Sequence, residues 1–136
     1  MLRNGLVLTL LWAVCAGAYA EQRRPQTDAA TQLLNYYRRY PERYIRISDE
    51  TWSYDPVSRS AQHSFTMKNV ASTAYYDIEV RFDYQTLSGK TLKTQSVKLE
   101  GNLGPLATRQ VKIKVKNVPL EAEKVVTAIA KAGVYF

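Results

Sequence analysis

Hydrophobic and polar residues alternate along much of the second half of the chain, which is the pattern of half-buried β-strands. The longest run places Tyr76, Ile78, Val80, Phe82 and Tyr84 on one side and Asp77, Glu79, Arg81, Asp83 and Gln85 on the other. A second run alternates Val111, Ile113 and Val115 with Lys112, Lys114 and Lys116. In each run we expect the apolar side to face a core and the polar side to face water.

Turn residues separate these runs. Leu87-Ser88-Gly89-Lys90 predicts a tight turn in which Gly89 takes a positive φ, so residues from about 75 to 99 form a hairpin. Further strands are predicted from Ile45 to Tyr54, from Gln62 to Val70 and from Lys124 to about Ala132. The chain from residue 44 to 136 therefore reads as all-β, a single antiparallel immunoglobulin-like β-sandwich of about six or seven strands.

A short helix is expected before the sandwich. Residues 28–40 have apolar positions at helical spacing, with Thr27 or Asp28 as a cap and Pro41 as the end. Residues 21–27 hold no apolar side chain and include a proline, so they read as a flexible lead-in.

The first 20 residues have the features of a cleaved secretory signal peptide. Arg3 precedes an apolar run from Leu6 to Val14, and Ala18-Tyr19-Ala20 forms a small-residue cleavage site. We therefore expect an exported protein, in a bacterial periplasm or outside the cell, with cleavage after Ala20. Lipidation of Cys15, which would tether the chain to a membrane, is a minor alternative because the residues before it depart from a lipoprotein signal.

Cleavage after Ala20 changes the composition of the chain. It removes Cys15, the one cysteine, so thiolate metal sites and cysteine nucleophiles are excluded from the mature chain, and it lowers the net charge from +7 to +6 by removing Arg3. A basic surface favours anionic partners, although solubility alone also explains it. Export makes nucleic acid an unlikely partner, and we expect no cofactor.

Residues from about 60 to 132 resemble the FxLYD and immunoglobulin-like sandwich families of exported bacterial proteins. The resemblance is carried by Met67-Lys68-Asn69, Ala71-Ser72-Thr73, the alternating strand from Tyr76 to Tyr84, Ser88-Gly89-Lys90, and Leu103-Gly104-Pro105-Leu106. These are structural residues, so the resemblance concerns the fold more than any chemistry. It implies an adhesion or scaffolding module rather than an enzyme.

Two segments are candidate interaction surfaces. The first interleaves aromatic and basic side chains, at Tyr36, Tyr37, Arg38, Arg39, Tyr40 and Arg43. It either binds sugar, phosphate or a membrane interface, or covers one end of the sandwich while its arginines extend to water. The second is the stripe of Lys112, Lys114 and Lys116, which either grips an anionic polymer or discourages edge-to-edge aggregation.

Evidence for catalysis is weaker. His63 is the one histidine and shares the inward parity of Phe65 and Met67, so we interpret it as partly buried and structural. The carboxylates Asp49, Glu50, Asp55, Asp77, Glu79 and Asp83 could supply an acid and a base, but pairing with lysines across strands is the simpler account. We therefore predict no catalytic, cofactor or metal site. The expected function is a non-catalytic module that recognises a protein or an envelope polymer; the alternative is a small-ligand carrier or a hydrolase that uses loop carboxylates.

Overall fold

A computed structural model describes the backbone of residues 25–135. The expected signal peptide, with its Cys15, and the first four residues of the expected lead-in lie outside the described residues. The described chain divides after Asn35 into two units. The second unit begins with the last turn of a helix and contains all strands of residues 25–135.

The helix α1 spans Pro25–Arg39. It starts three residues before the predicted boundary, since proline fits the first turn of a helix, where its missing N–H needs no partner. Leu33, one of the apolar positions at helical spacing, is 47% exposed. The helix ends where expected, and Pro41–Arg43 follows as a single 3₁₀ turn.

Seven strands follow the helix: β1 Ile45–Asp55, β2 Ser60–Asn69, β3 Tyr75–Gln85, β4 Thr91–Lys98, β5 Asn102–Leu103, β6 Thr108–Val115 and β7 Lys124–Gly133. The first sheet has the order β1-β2-β6. The second sheet has β3 at its centre, with β7 on one side and β4 and the short β5 on the other. Every pairing is antiparallel, which confirms the predicted β-sandwich.

Inward side chains of the two sheets form the core. The largest fully buried ones are Tyr75, Tyr84, Phe82, Ile45, Met67, Ile78, Leu103, Val80, Val118 and Asn69. Most stand at alternate positions of β2 and β3, the central strands of the two sheets. Burial of apolar area on this scale is the main stabilising contribution to such a fold.

The start of β3 departs from the predicted alternation. Tyr75 is fully buried, whereas Tyr76, which was predicted to face inward, is only half-buried and its ring meets Tyr135 at 4.3 Å. Asp77 has a φ of 51°, and the register between β3 and β7 shifts at this point. Because of this bulge, the inward residue before it is the odd-numbered Tyr75, whereas the inward residues after it are even-numbered, from Ile78 to Tyr84.

Gly89 and Leu106 are two of the turn residues that have a positive φ. Gly89 has φ 91°, as the hairpin prediction required. Leu106 has φ 58° in the turn closed by the bond from Ala107 N–H to the Gly104 carbonyl. Glycine or asparagine is usual at this turn position, so Leu106 is strained there.

Asn69, at the end of β2, organises the adjoining loops. Its side-chain amide donates to the carbonyls of Thr73 at 2.8 Å, Gly104 at 3.0 Å and Leu103 at 3.1 Å. Its oxygen accepts the N–H of Ala71 at 2.8 Å. One fully buried side chain therefore ties the β2–β3 loop to β5 and the turn after it.

Candidate functional site

The aromatic-basic segment, residues 36–44, is partly core. Tyr37 is buried, its ring meets that of Tyr44 edge-on at 4.6 Å, and its hydroxyl bonds that of Ser72 at 3.1 Å. The Tyr75 hydroxyl donates to the Tyr37 carbonyl at 2.8 Å, and burial raises the pKa of Tyr75 above its usual range. These contacts fix the segment against the sandwich and match the packing interpretation for Tyr37.

Other side chains of the segment face water. Tyr36 is 52% exposed, Arg39 is exposed, and the Arg43 guanidinium lies over the Tyr40 ring at 4.7 Å. Arg38 is exposed as well. The segment thus keeps a surface of one tyrosine and several arginines while its other tyrosines pack.

The lysine stripe lies on β6, an edge strand of the first sheet. Lys112 and Lys114 are exposed and alternate with buried Val111 and Val115, as predicted. Lys116 follows the end of the strand and is also exposed. The prediction placed the stripe correctly but could not say which residues lie beside it.

Strand pairing surrounds the stripe with further polar side chains. Ser64 pairs with Lys112 and Gln62 with Lys114, while on the other side of β2 these residues pair with Thr51 and Ser53. At the opposite end of the same face, Lys68 of β2 pairs with Arg46 of β1 and Thr108 of β6. We call this surface the basic face: Arg46, Lys68, Lys112 and Lys114, with the hydroxyl and amide side chains of Ser48, Thr51, Ser53, Gln62, Ser64, Thr66, Thr108 and Gln110 between them.

The basic face is concave. A depression of about 540 Å³ lies over residues 51–53, 62–64 and 112–114, three from each strand. A smaller depression of about 190 Å³ continues over Ser53, Gln62 and Lys114 towards Asp55. The groove is therefore lined by lysines and by groups that both donate and accept hydrogen bonds.

Asp55 stands at one end of this face and is engaged in its own turn. Its carboxylate accepts hydrogen bonds from the Ser58 hydroxyl at 2.7 Å and from the Val57 N–H at 3.0 Å. These bonds lower the pKa of Asp55, and the bond from the Ser58 hydroxyl contributes most. It therefore stays ionised, and its charge is directed to the turn.

The outer face of the second sheet differs because it holds two ion pairs. Lys98 approaches Asp77 at 3.3 Å across β3 and β4, and Asp83 meets Arg81 at 3.4 Å and the Thr94 hydroxyl at 2.7 Å. Three of the proposed catalytic carboxylates, Asp77, Glu79 and Asp83, lie on this strand. The pairing of Asp77 with Lys98 follows the cross-strand account rather than the catalytic one.

His63 is buried between the sheets, as predicted. Its Nε2 bonds the Tyr84 hydroxyl at 2.8 Å, and its ring stacks on Phe82 at 4.1 Å. Burial lowers the pKa of His63 to about 4, so the imidazole is neutral near pH 7, and burial likewise raises the pKa of Tyr84.

A cleft of about 240 Å³ runs beside His63 between β1 and β7. Trp52, His63, Phe65, Val125 and Thr127 line it, and Glu50, Glu123 and Lys124 stand among its other residues. Glu50 belongs to the β-bulge at residues 49–50 of β1. This cleft is where the alternative function, a small-ligand carrier, would place its ligand.

Two absences hold within residues 25–135. In that part of the chain no group of three or more histidine, cysteine or acidic side chains is placed to hold a metal ion. Within the same residues, no helix has the length and apolar character needed to cross a bilayer.

Comparisons with known proteins add little to this picture. No protein-family model and no curated protein sequence matches the chain. Among solved structures, the alkylpurine DNA glycosylase AlkC of Pseudomonas fluorescens, bound to DNA containing an abasic site analog, superposes with a TM-score of 0.41 and 15% sequence identity. The match covers 68% of this chain and 30% of the glycosylase, so the chain spans less than a third of that protein.

Proposed function

We propose that this protein is a non-catalytic exported module that recognises an anionic envelope polymer through the basic face. The single observation that carries the proposal is the composition of that face. Four exposed cations, Arg46, Lys68, Lys112 and Lys114, stand among hydroxyl and amide side chains on one face of the first sheet. Lys112 and Lys114 border its depression, while the outer face of the second sheet holds charge pairs.

This arrangement suits a polysaccharide that carries phosphate or carboxylate groups. Lysine and arginine side chains attract the anions over long range, and hydroxyl and amide groups on the floor exchange hydrogen bonds with sugar hydroxyls. Successive outward residues of a strand are about 7 Å apart, so several cations can meet charges repeated along one polymer. Protection of the two sheet edges explains cations on β1 and β6 but not Lys68, which lies on the central strand β2 and continues the charge across the sheet.

The test compares binding to dextran sulfate with binding to neutral dextran by isothermal titration calorimetry. We expect binding to dextran sulfate alone, and K112E/K114E should weaken it by about tenfold or more, because two attractive surface contacts become repulsive. Added salt should weaken binding by the wild-type protein more than binding by this variant.

A charge-matched variant separates recognition from net charge. K90E/K131E changes two exposed lysines elsewhere and alters the net charge by the same amount, so it should bind nearly as well as the wild-type protein. Equal loss in the two variants would reduce the effect to overall charge and contradict a specific face. The R38A/R39A variant tests the aromatic-basic segment separately. If only this variant lost binding to dextran sulfate, the polymer site would lie on that segment and not on the basic face.

A further inference from the structure

Three loops meet at one end of the sandwich, the end opposite residues 36–44. The β1–β2 loop spans residues 56–59, the β3–β4 loop 86–90 and the β6–β7 loop 116–123. The Val118 N–H donates to the Arg59 carbonyl at 2.9 Å, and the Glu123 N–H donates to the Gln85 carbonyl at 3.0 Å. The last loop therefore joins the other two, which belong to different sheets.

Each of these loops exposes one large apolar side chain. Val57 is 94% exposed, Leu87 is 76% exposed and Leu120 is 50% exposed. Isolated exposed apolar residues are common, but here every loop at one end of the fold carries one. The three side chains therefore project from three different loops rather than from one strand or helix.

Hydrogen bonds hold two of these tips in place. The Asp55 carboxylate accepts the Val57 N–H at 3.0 Å. The Glu123 carboxylate accepts the Leu87 N–H at 3.0 Å, and the Thr86 N–H and the Lys90 carbonyl close that turn at 2.9 Å. The loops therefore present their apolar side chains to water without needing to rearrange.

Each loop also carries an exposed cation within a few residues of its apolar residue: Arg59 for Val57, Lys90 for Leu87 and Lys116 for Leu120. Asp55 and Glu123 direct their carboxylates to loop N–H groups, and Glu121 is a further exposed acid. Projecting apolar tips with cations beside them complement a bilayer surface, where acyl chains lie just beneath anionic headgroups.

We propose that this loop end docks on the surface of an anionic lipid bilayer, with Val57, Leu87 and Leu120 inserting between headgroups while Arg59, Lys90 and Lys116 contact lipid phosphates. A fluid bilayer accommodates apolar side chains from three loops without a preformed cavity for any of them. The proposal is independent of polymer binding by the basic face, which lies on the side of the sandwich.

Vesicle co-sedimentation tests this lipid-docking proposal. The protein is purified as it accumulates in the cells that produce it. The wild-type protein should bind vesicles of phosphatidylcholine with phosphatidylglycerol and bind pure phosphatidylcholine much less. V57S/L87S/L120S should lower the partition coefficient by about tenfold or more, since three apolar contacts with the bilayer are lost. Because the three side chains are exposed, the variant should keep the wild-type melting temperature.

Matched variants locate the effect. L106S removes a leucine that is 69% exposed in a turn away from these loops and should bind as the wild-type protein does. K112E/K114E, which alters the basic face, should retain the apolar contribution, so V57S/L87S/L120S should weaken binding in that background too. The tryptophan fluorescence emission of a Leu87→Trp variant should shift to shorter wavelengths when mixed vesicles are added. The emission of a Leu106→Trp variant should not shift.

Three results would overturn the proposal. One is wild-type binding to neither kind of vesicle, which would leave a protein partner as the explanation of the loop end. Another is unchanged vesicle binding by V57S/L87S/L120S, and the third is an equal loss in L106S. Loss of dextran sulfate binding by K112E/K114E with intact vesicle binding would separate the two proposed surfaces.

Discussion

Asn69 provides a direct test of how the loops around β2 and β5 are held. The substitution Asn69→Ala removes one fully buried side chain whose amide makes three donor contacts and whose oxygen makes one acceptor contact. The amide has two hydrogens, so the three carbonyls of Thr73, Leu103 and Gly104 share them. Alanine leaves these carbonyls and the Ala71 N–H without this partner.

The expected loss follows from those contacts. At about 1 kcal/mol net for each of the three hydrogens involved, two of the Asn69 amide and one of the Ala71 N–H, the free energy of unfolding should fall by about 3 kcal/mol. That is a large part of the roughly 5–15 kcal/mol typical of a small domain, and corresponds to a fall in melting temperature of about 15 °C.

Urea unfolding followed by circular dichroism measures this change. Asn102→Ala is the control, because Asn102 is exposed on β5 and should change stability by less than about 0.5 kcal/mol. Asn69→Asp should be worse than Asn69→Ala at pH 7, since its carboxylate would face three carbonyls, and should recover as the pH falls and it becomes protonated. A loss below about 1 kcal/mol in Asn69→Ala would refute the assigned role.

Two further predictions concern His63 and Leu106. Since the pKa of His63 is about 4 in the folded state against an ordinary 6.5, the unfolded chain takes up a proton first. The free energy of unfolding should therefore fall as the pH drops from 6.5 to about 4. The fall is at most about 3 kcal/mol, and solvent screening at the cleft makes it smaller. Urea titrations across this range should show a shallower dependence in His63→Gln, and an unchanged slope would contradict the assignment. Leu106→Gly should raise the melting temperature by a few degrees, because relief of about 1–2 kcal/mol of left-handed strain exceeds the added entropy of glycine in the unfolded chain; a lower melting temperature in calorimetry would contradict it.

The sequence predicted most of the strands because alternation and turn residues are local signals. The strand from Ile45, the hairpin around Gly89 and the inward position of His63 were predicted correctly. The bulge at Asp77 was missed, since an aspartate in an alternating run looks like any other outward residue. Its consequence was the wrong inward assignment of Tyr76 in place of Tyr75.

The candidate site was harder to predict because it depends on which strands are neighbours. Lys112 and Lys114 were found from their alternation within β6, but Arg46 and Lys68 join them only through the order β1-β2-β6. A single arginine between two isoleucines and a single lysine before Asn69 carry no local signal of their own. The cluster of loop tips is non-local in the same way.

The bulge at residues 49–50 of β1 affects self-association of the protein at high concentration. Asp49 adopts φ 53°, and the pairing of β1 with β2 is interrupted between Ser48 and Thr51. An incoming strand that tried to extend the first sheet at β1 would meet donors and acceptors out of step, with two acidic side chains at the break. The protein can thus display a long sheet margin at high local concentration without polymerising through it.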